Sequence, residues 1–144
     1  MKPSYCLDAN VVIRFLLNDH PEHSPLAKKV FDLAAIGKIK LHIPHMIIAE
    51  VVWVLGSHYK IPREALVGKL LGLIHLKGVA VPEPPAIISA LEQFARVNVD
   101  FVDCYLAAVA QADELKVLSF DADFGKLPGI GAVHPSEVHP PKSG

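Results

Sequence analysis

Short β-like runs alternate along this chain with longer stretches of helical periodicity, and that alternation constrains the fold more than any other feature. The runs fall at 4–7, 40–43, 79–81, 117–119 and, more weakly, 132–134. Parallel strands need long crossovers, and the intervening stretches are long enough to be helices. An α/β architecture is therefore expected: a central, mainly parallel sheet of about four to five strands flanked by helices. Proline marks the helix starts. Ser24 before Pro25 reads as an N-cap and first helical residue, Pro44 precedes the run from His45, Pro62 precedes "REALVGKLLGLI", and "VPEPPAIISALEQFARV" also opens on prolines. Gly37 and Gly56 or Ser57 read as stops, and "VDFVDCYLAAVAQADEL" is a long helix headed by two aspartates.

The 144 residues fit one domain, and 51% hydrophobic with 20% charged residues is the composition of a globular chain. A single folded domain is expected over 1–134, followed by a loose, Pro-rich tail at 135–144 with no catalytic part to play. Asp8, Arg14 and Glu50 interrupt the apolar stretches well before a membrane span is reached, and the three residues before Ser4 are too few for a signal-peptide lead. A soluble, cytoplasmic protein is expected. Cys6 and Cys104 lie in apolar segments without metal-ligand spacing, which predicts reduced, buried thiols. A net charge of -1 excludes the broad basic footprint of a duplex-coating protein, so any nucleic-acid contact must be local. Arg14, Lys28, Lys29, Lys38, Lys40 and Arg96 are its candidates, each taken singly more readily read as a solvated surface charge.

The acidic residues carry the functional signal. Asp8 follows the first strand, at the end of a parallel sheet where ligands bind, although Asp8 or Asn10 could equally cap the helix "VVIRFLL". Glu50, in "HMIIAEVVWVLGSHY", has Met46, Ile47, Trp53 and Val54 three and four residues away, so it is expected to project from an apolar face. A buried, unpaired carboxylate costs several kcal/mol, so Arg, Lys or a metal ion should face it. Asp100 and Asp103 share one side of a helix head, where capping and the helix dipole offer a purely structural account. The alanines that follow allow close packing and favour a buried acid at Asp103. Asp121 and Asp123 lie just past the fourth strand; turn formation explains Asp123 more readily than Asp121.

A crevice collecting Asp8, Glu50, Asp103 and Asp121 would repel itself unless a divalent cation neutralised it. With oxygen ligands alone, Mg²⁺ or Mn²⁺ is expected rather than zinc. The eight histidines read as structural or solvent-facing.

Four segments, "LDANVVIRFLL", "IIAEVVWVL", "VDFVDCYLAAVA" and "LSFDADFGKLPG", together resemble the PIN-domain ribonucleases, and most closely the VapC-type toxins of toxin–antitoxin pairs. By this resemblance Asp8, Glu50, Asp103 and Asp121 take the places of the family's acidic quartet. Asn10 and Ser119 match its polar companions, and Asp100 and Asp123 match frequent accessory acids. Cys104 and Tyr105 depart from the smaller or aliphatic residues common there, and the Pro-rich end is not a family feature. The resemblance implies an endoribonuclease acting on RNA, a small antitoxin that covers the site, and a homodimer. In such an enzyme one or two metal ions held by Asp8, Asp103 and Asp121, with Glu50 as ligand or water orienter, would activate water for in-line displacement at the scissile phosphate. Asn10 and Ser119 would orient the ligands from behind, and Arg14, one turn past Asn10, would face phosphate or a carboxylate. An apolar groove between the helices beginning at Pro25 and His45 would suit such a partner.

Three alternatives remain at this point. A haloacid-dehalogenase-type phosphatase also places Asp after its first strand, but it uses a second Asp where this chain has Asn10. A binding module would use the acids only as caps or as a structural metal site. A PIN-type RNA-processing nuclease would work without an antitoxin.

Overall fold

The computed structural model describes residues 2–142. Five strands and six α-helices alternate in the order β1 (Ser4–Cys6), α1 (Ala9–Leu17), α2 (His23–Ala35), β2 (Lys40–His42), α3 (His45–Ser57), α4 (Arg63–Ile74), β3 (Val79–Ala80), α5 (Pro84–Arg96), α6 (Phe101–Ala112), β4 (Val117–Leu118) and β5 (Ala132–Val133). Every strand pair is parallel, as the α/β alternation demands. Hydrogen bonds divide the strands into a three-stranded sheet ordered β1-β2-β3 and a two-stranded sheet of β4 and β5. The chain forms two compact units, Met1–Pro85 and Ala86–Gly144, and each sheet lies within one of them.

In the first unit β2 is the central strand, and Leu41 and, just past its end, Ile43 are fully buried. Val12 and Ile13 of α1, Phe31 and Ala34 of α2, Ile48, Val51 and Leu55 of α3, and Leu66 and Leu70 of α4 supply the rest of the core. Their three- and four-residue spacing is the apolar stripe that holds each helix in place. The α2 start departs from the proline signal. The helix begins at His23, and Ser24 lies buried inside its first turn. Its hydroxyl donates to the Arg14 carbonyl at 2.8 Å and accepts the His20 N–H at 3.0 Å, so it ties α2 to the end of α1 instead of capping Pro25. Stops at Gly37 and Ser57, and starts after Pro44 and Pro62, fall as the sequence indicates.

The second unit packs Ile87, Leu91 and Phe94 of α5 and Phe101, Cys104 and Ala108 of α6 with Val117, Phe124 and Leu127 in its core. Phe94 and Phe101 meet edge to face at 5.8 Å. The first residues of the 135–144 tail are not loose: Pro135–Glu137 form a 3-10 turn capped by His134, while Ser143 and Gly144 lie outside the described residues. Cys104 is buried as expected, but Cys6 is exposed because β1 is an edge strand. No helix among the described residues is long and apolar enough to cross a membrane.

Candidate active site

In the first unit Asp8 stands at the carboxyl end of β1, held there by the ladder bond from Leu7 N–H to the His42 carbonyl at 2.9 Å. It is exposed, and it does cap α1: one carboxylate oxygen accepts the Ala9 N–H at 2.8 Å. The cap occupies Oδ1 and leaves the other oxygen without a hydrogen-bond partner among the described residues. Asn10, also exposed, lines a cavity of about 230 Å³ between α1 and α2, together with Val11, Arg14, His23, Leu26, Ala27 and Val30. The apolar groove is thus framed by α1 and α2 rather than by α2 and α3. Arg14 faces a carboxylate, not open solvent: Nη1 donates to Asp19 at 2.9 Å. Its pKa is raised, first by that hydrogen bond and then by one involving Tyr59.

Glu50 differs from expectation. It is exposed on α3, and the apolar neighbours that were to bury it are themselves open, with Met46 84% and Trp53 68% exposed. The opposite stripe of Ile48, Val51, Val52 and Leu55 is the one that packs. Glu50 therefore needs no counter-charge for its own stability, and any bond it makes to a ligand is free of the burial cost argued from the sequence.

The second unit gathers four acids. Asp103 is half-buried in the first turn of α6; partial burial and then the charges of Asp121, Asp100 and Asp123 push its carboxyl above the ordinary carboxylate range. Asp100 occupies the N-cap position, but its side chain makes no capping hydrogen bond. The roles of Asp121 and Asp123 are the reverse of those expected. Asp121 forms the turn, accepting the Asp123 N–H at 2.8 Å, while Asp123 pairs with Lys126 at 3.1 Å. Ser119 accepts the Asp121 backbone N–H at 2.9 Å, so it fixes the acid through the main chain and not through its carboxylate.

Lys126 is the one cation paired with this set among the described residues. Burial first, and then the charges of Asp121, Asp100 and Asp123, raise the proton affinity of Asp103, and a hard cation beside these acids would relieve that repulsion. The donor chemistry fits Mg²⁺ or Mn²⁺. No three His, Cys, Asp or Glu side chains among the described residues stand together as a ready cage. Mg²⁺ does not require one, because it keeps several waters and uses one or two carboxylates together with substrate phosphate.

The PIN domain family model matches residues 5–130. The chain belongs to the PIN domain family. This PIN domain is 28% identical over 132 residues to the VapC ribonuclease of Aquifex aeolicus, covering 91% of this chain and 96% of that one. Among solved structures, VapBC2 from Rickettsia felis bound to a DNA fragment from its promoter is 16% identical, with 91% and 98% of the two chains covered; at a TM-score of 0.39 that likeness carries no weight. Two groups of this PIN domain lie outside the acid pattern altogether: Tyr59, which helps hold Arg14, and Phe120, which stands 79% exposed between Ser119 and Asp121. Neither is a carboxylate, and only the folded chain reveals what each one neighbours.

Proposed function

We propose that this PIN domain is a metal-dependent endoribonuclease, the toxin of a toxin–antitoxin pair, and that Asp8, Glu50, Asp103 and Asp121 are its catalytic carboxylates. The observation that carries the reading is the PIN family match over residues 5–130 together with Asp103, half-buried in the first turn of α6 and pushed up by that burial and then by the charges of Asp121, Asp100 and Asp123. The VapC ribonuclease of similar length supports the RNA substrate; a small antitoxin and a homodimer enter the proposal through the family resemblance of the four sequence segments alone.

Each residue's part follows from its position. Asp103, fixed in the first turn of α6, and Asp121, fixed by Ser119 and the Asp123 N–H, offer oxygen donors whose directions are set before substrate arrives. Asp8 offers the oxygen its cap leaves open, and Glu50 a solvated carboxylate able to orient water. A divalent cation held by carboxylates such as Asp103 and Asp121 would supply charge neutralisation at the scissile phosphate and a more acidic water. Asn10 lies two residues past Asp8, and Arg14 is already engaged by Asp19, which assigns it to bracing α1 rather than to gripping phosphate.

The test is incubation of purified protein with a mixed RNA pool in Mg²⁺ or Mn²⁺, beside an EDTA control and the Asp121→Asn variant. Cleavage that needs the metal and Asp121 is expected. Cleavage indifferent to both removes the proposal.

A further inference from the structure

We propose that Phe120, steadied by His134, is a stacking platform for an unpaired base of the RNA, adjoining the scissile phosphate. This rests on the ribonuclease reading above and adds a substrate-contacting residue to it. Parallel pairing aligns Leu118 with Val133, and Ser119 N–H bonds the Val133 carbonyl at 3.1 Å. Phe120, two residues past Leu118, and His134, one past Val133, thus leave the carboxyl ends of two adjacent parallel strands together, where ligands of α/β proteins bind.

Three features separate Phe120 from an incidental surface apolar residue. It is flanked by Ser119 and Asp121, so its backbone is held by the same turn that sets the acid, through Ser119 Oγ and the Asp121 N–H. It is 79% exposed although its ring meets that of His134 edge to face, with centroids 5.4 Å apart and planes at 83°. The His134 ring is itself pinned: its Nδ1 accepts the Ser136 N–H at 3.1 Å and lies 2.7 Å from the Ser136 hydroxyl oxygen. A neighbour fixed by two hydrogen bonds thus braces Phe120 while most of the ring faces solvent.

An unpaired base is the occupant that suits it. Single-stranded RNA is bound by stacking splayed bases on aromatic faces, in a way that tolerates any sequence. The protein's near-neutral charge leaves little electrostatic affinity for the backbone, so stacking beside the acids is a source of binding that the sequence composition does not supply.

The experiment measures kcat and KM for cleavage of a fluorescently labelled, mixed-sequence single-stranded RNA in Mg²⁺ by wild type, Phe120→Ala, Phe120→Leu and Phe120→Trp. The expected result is a rise in KM of about tenfold for Ala and Leu, within what stacking on an aromatic ring supplies, with kcat within about twofold and wild-type KM retained by Trp. Leu keeps apolar bulk without a π-face, so a fall in binding shared by Ala and Leu separates stacking from simple burial. An unchanged KM in Phe120→Ala, a Leu variant equal to wild type, or a loss confined to kcat overturns the platform while leaving the nuclease standing. A wild-type protein that cleaves no RNA overturns both.

Discussion

Gly78 offers a direct check on how the sheet of the first unit is held. Its φ is +86°, and an added Cβ would lie 2.6 Å from the Ala34 carbonyl carbon and 2.7 Å from the Ala34 Cβ. A non-glycine residue in the left-handed region costs roughly 1–2 kcal/mol. The overlap is with backbone at the end of α2, which cannot rotate away. Relief requires moving Gly78, whose carbonyl accepts the Leu41 N–H at 2.9 Å in the ladder between β2 and β3. Weakening that bond in a buried strand costs about 1–3 kcal/mol more. Gly78→Ala should therefore lose about 2–5 kcal/mol, a large part of a typical 5–15 kcal/mol total. At roughly 3 °C per kcal/mol, thermal unfolding followed by circular dichroism should show Tm lowered by about 10 °C. Gly68→Ala is the matched control. Gly68 sits inside α4 with nothing within 4 Å of an added Cβ, so the substitution should stabilise by up to about 1 kcal/mol. Equal Tm values for Gly78→Ala and wild type, or shifts of the same sign in both variants, would refute the reasoning.

Asp103→Asn should raise stability at pH 7 while removing RNA cleavage. The folded Asp103 carboxyl is held above the ordinary range by burial and then by three like charges, so its contribution is fully present below that range and is lost as pH rises through the raised value. The Tm gain of the variant should shrink toward pH 4; a variant less stable than wild type at pH 7 would contradict this. Asp8→Asn should keep the α1 cap, because Asn caps as well as Asp, and change stability by no more than about 0.5 kcal/mol. Its RNA cleavage should nevertheless fall by about 100-fold or more; retained cleavage would reduce Asp8 to a cap. Thiol titration under native conditions should find Cys6 reactive and Cys104 protected until denaturant is added, and two fast thiols would contradict the packing of α6. Light scattering across a concentration series should give twice the chain mass, and a constant monomer mass would remove the homodimer.

Strand positions were legible because short runs between longer stretches of helical periodicity are local signals, as were the helix starts after Pro44 and Pro62. Ser24 misled because its partners, the Arg14 carbonyl and the His20 N–H, lie on a neighbouring turn that sequence spacing does not display. Glu50 misled for a related reason. An apolar neighbourhood on a helix does not say which of two apolar stripes is buried, and α3 carries one on each side, so Met46 and Trp53 are left in solvent. At Asp121 and Asp123 the acids were found but their tasks exchanged, since a choice between turn-former and ion-pair partner depends on where Lys126 falls. Asp100 and Asp103 were placed at the helix head by spacing alone. That Asp100 forgoes its cap, and that Asp103 is crowded by the other acids, are properties only of the folded chain.

The measurement that bears most directly on the nuclease itself is the chemistry of the ends it leaves on a mixed pool of tRNA and ribosomal RNA. Water activated at an acidic metal site attacks phosphorus without the ribose 2′-hydroxyl, so the account predicts 5′-phosphate and 3′-hydroxyl ends, produced with Mg²⁺ or Mn²⁺ and abolished by EDTA and by Asp103→Asn. Ends bearing a 2′,3′-cyclic phosphate, or cleavage that survives EDTA, would contradict it.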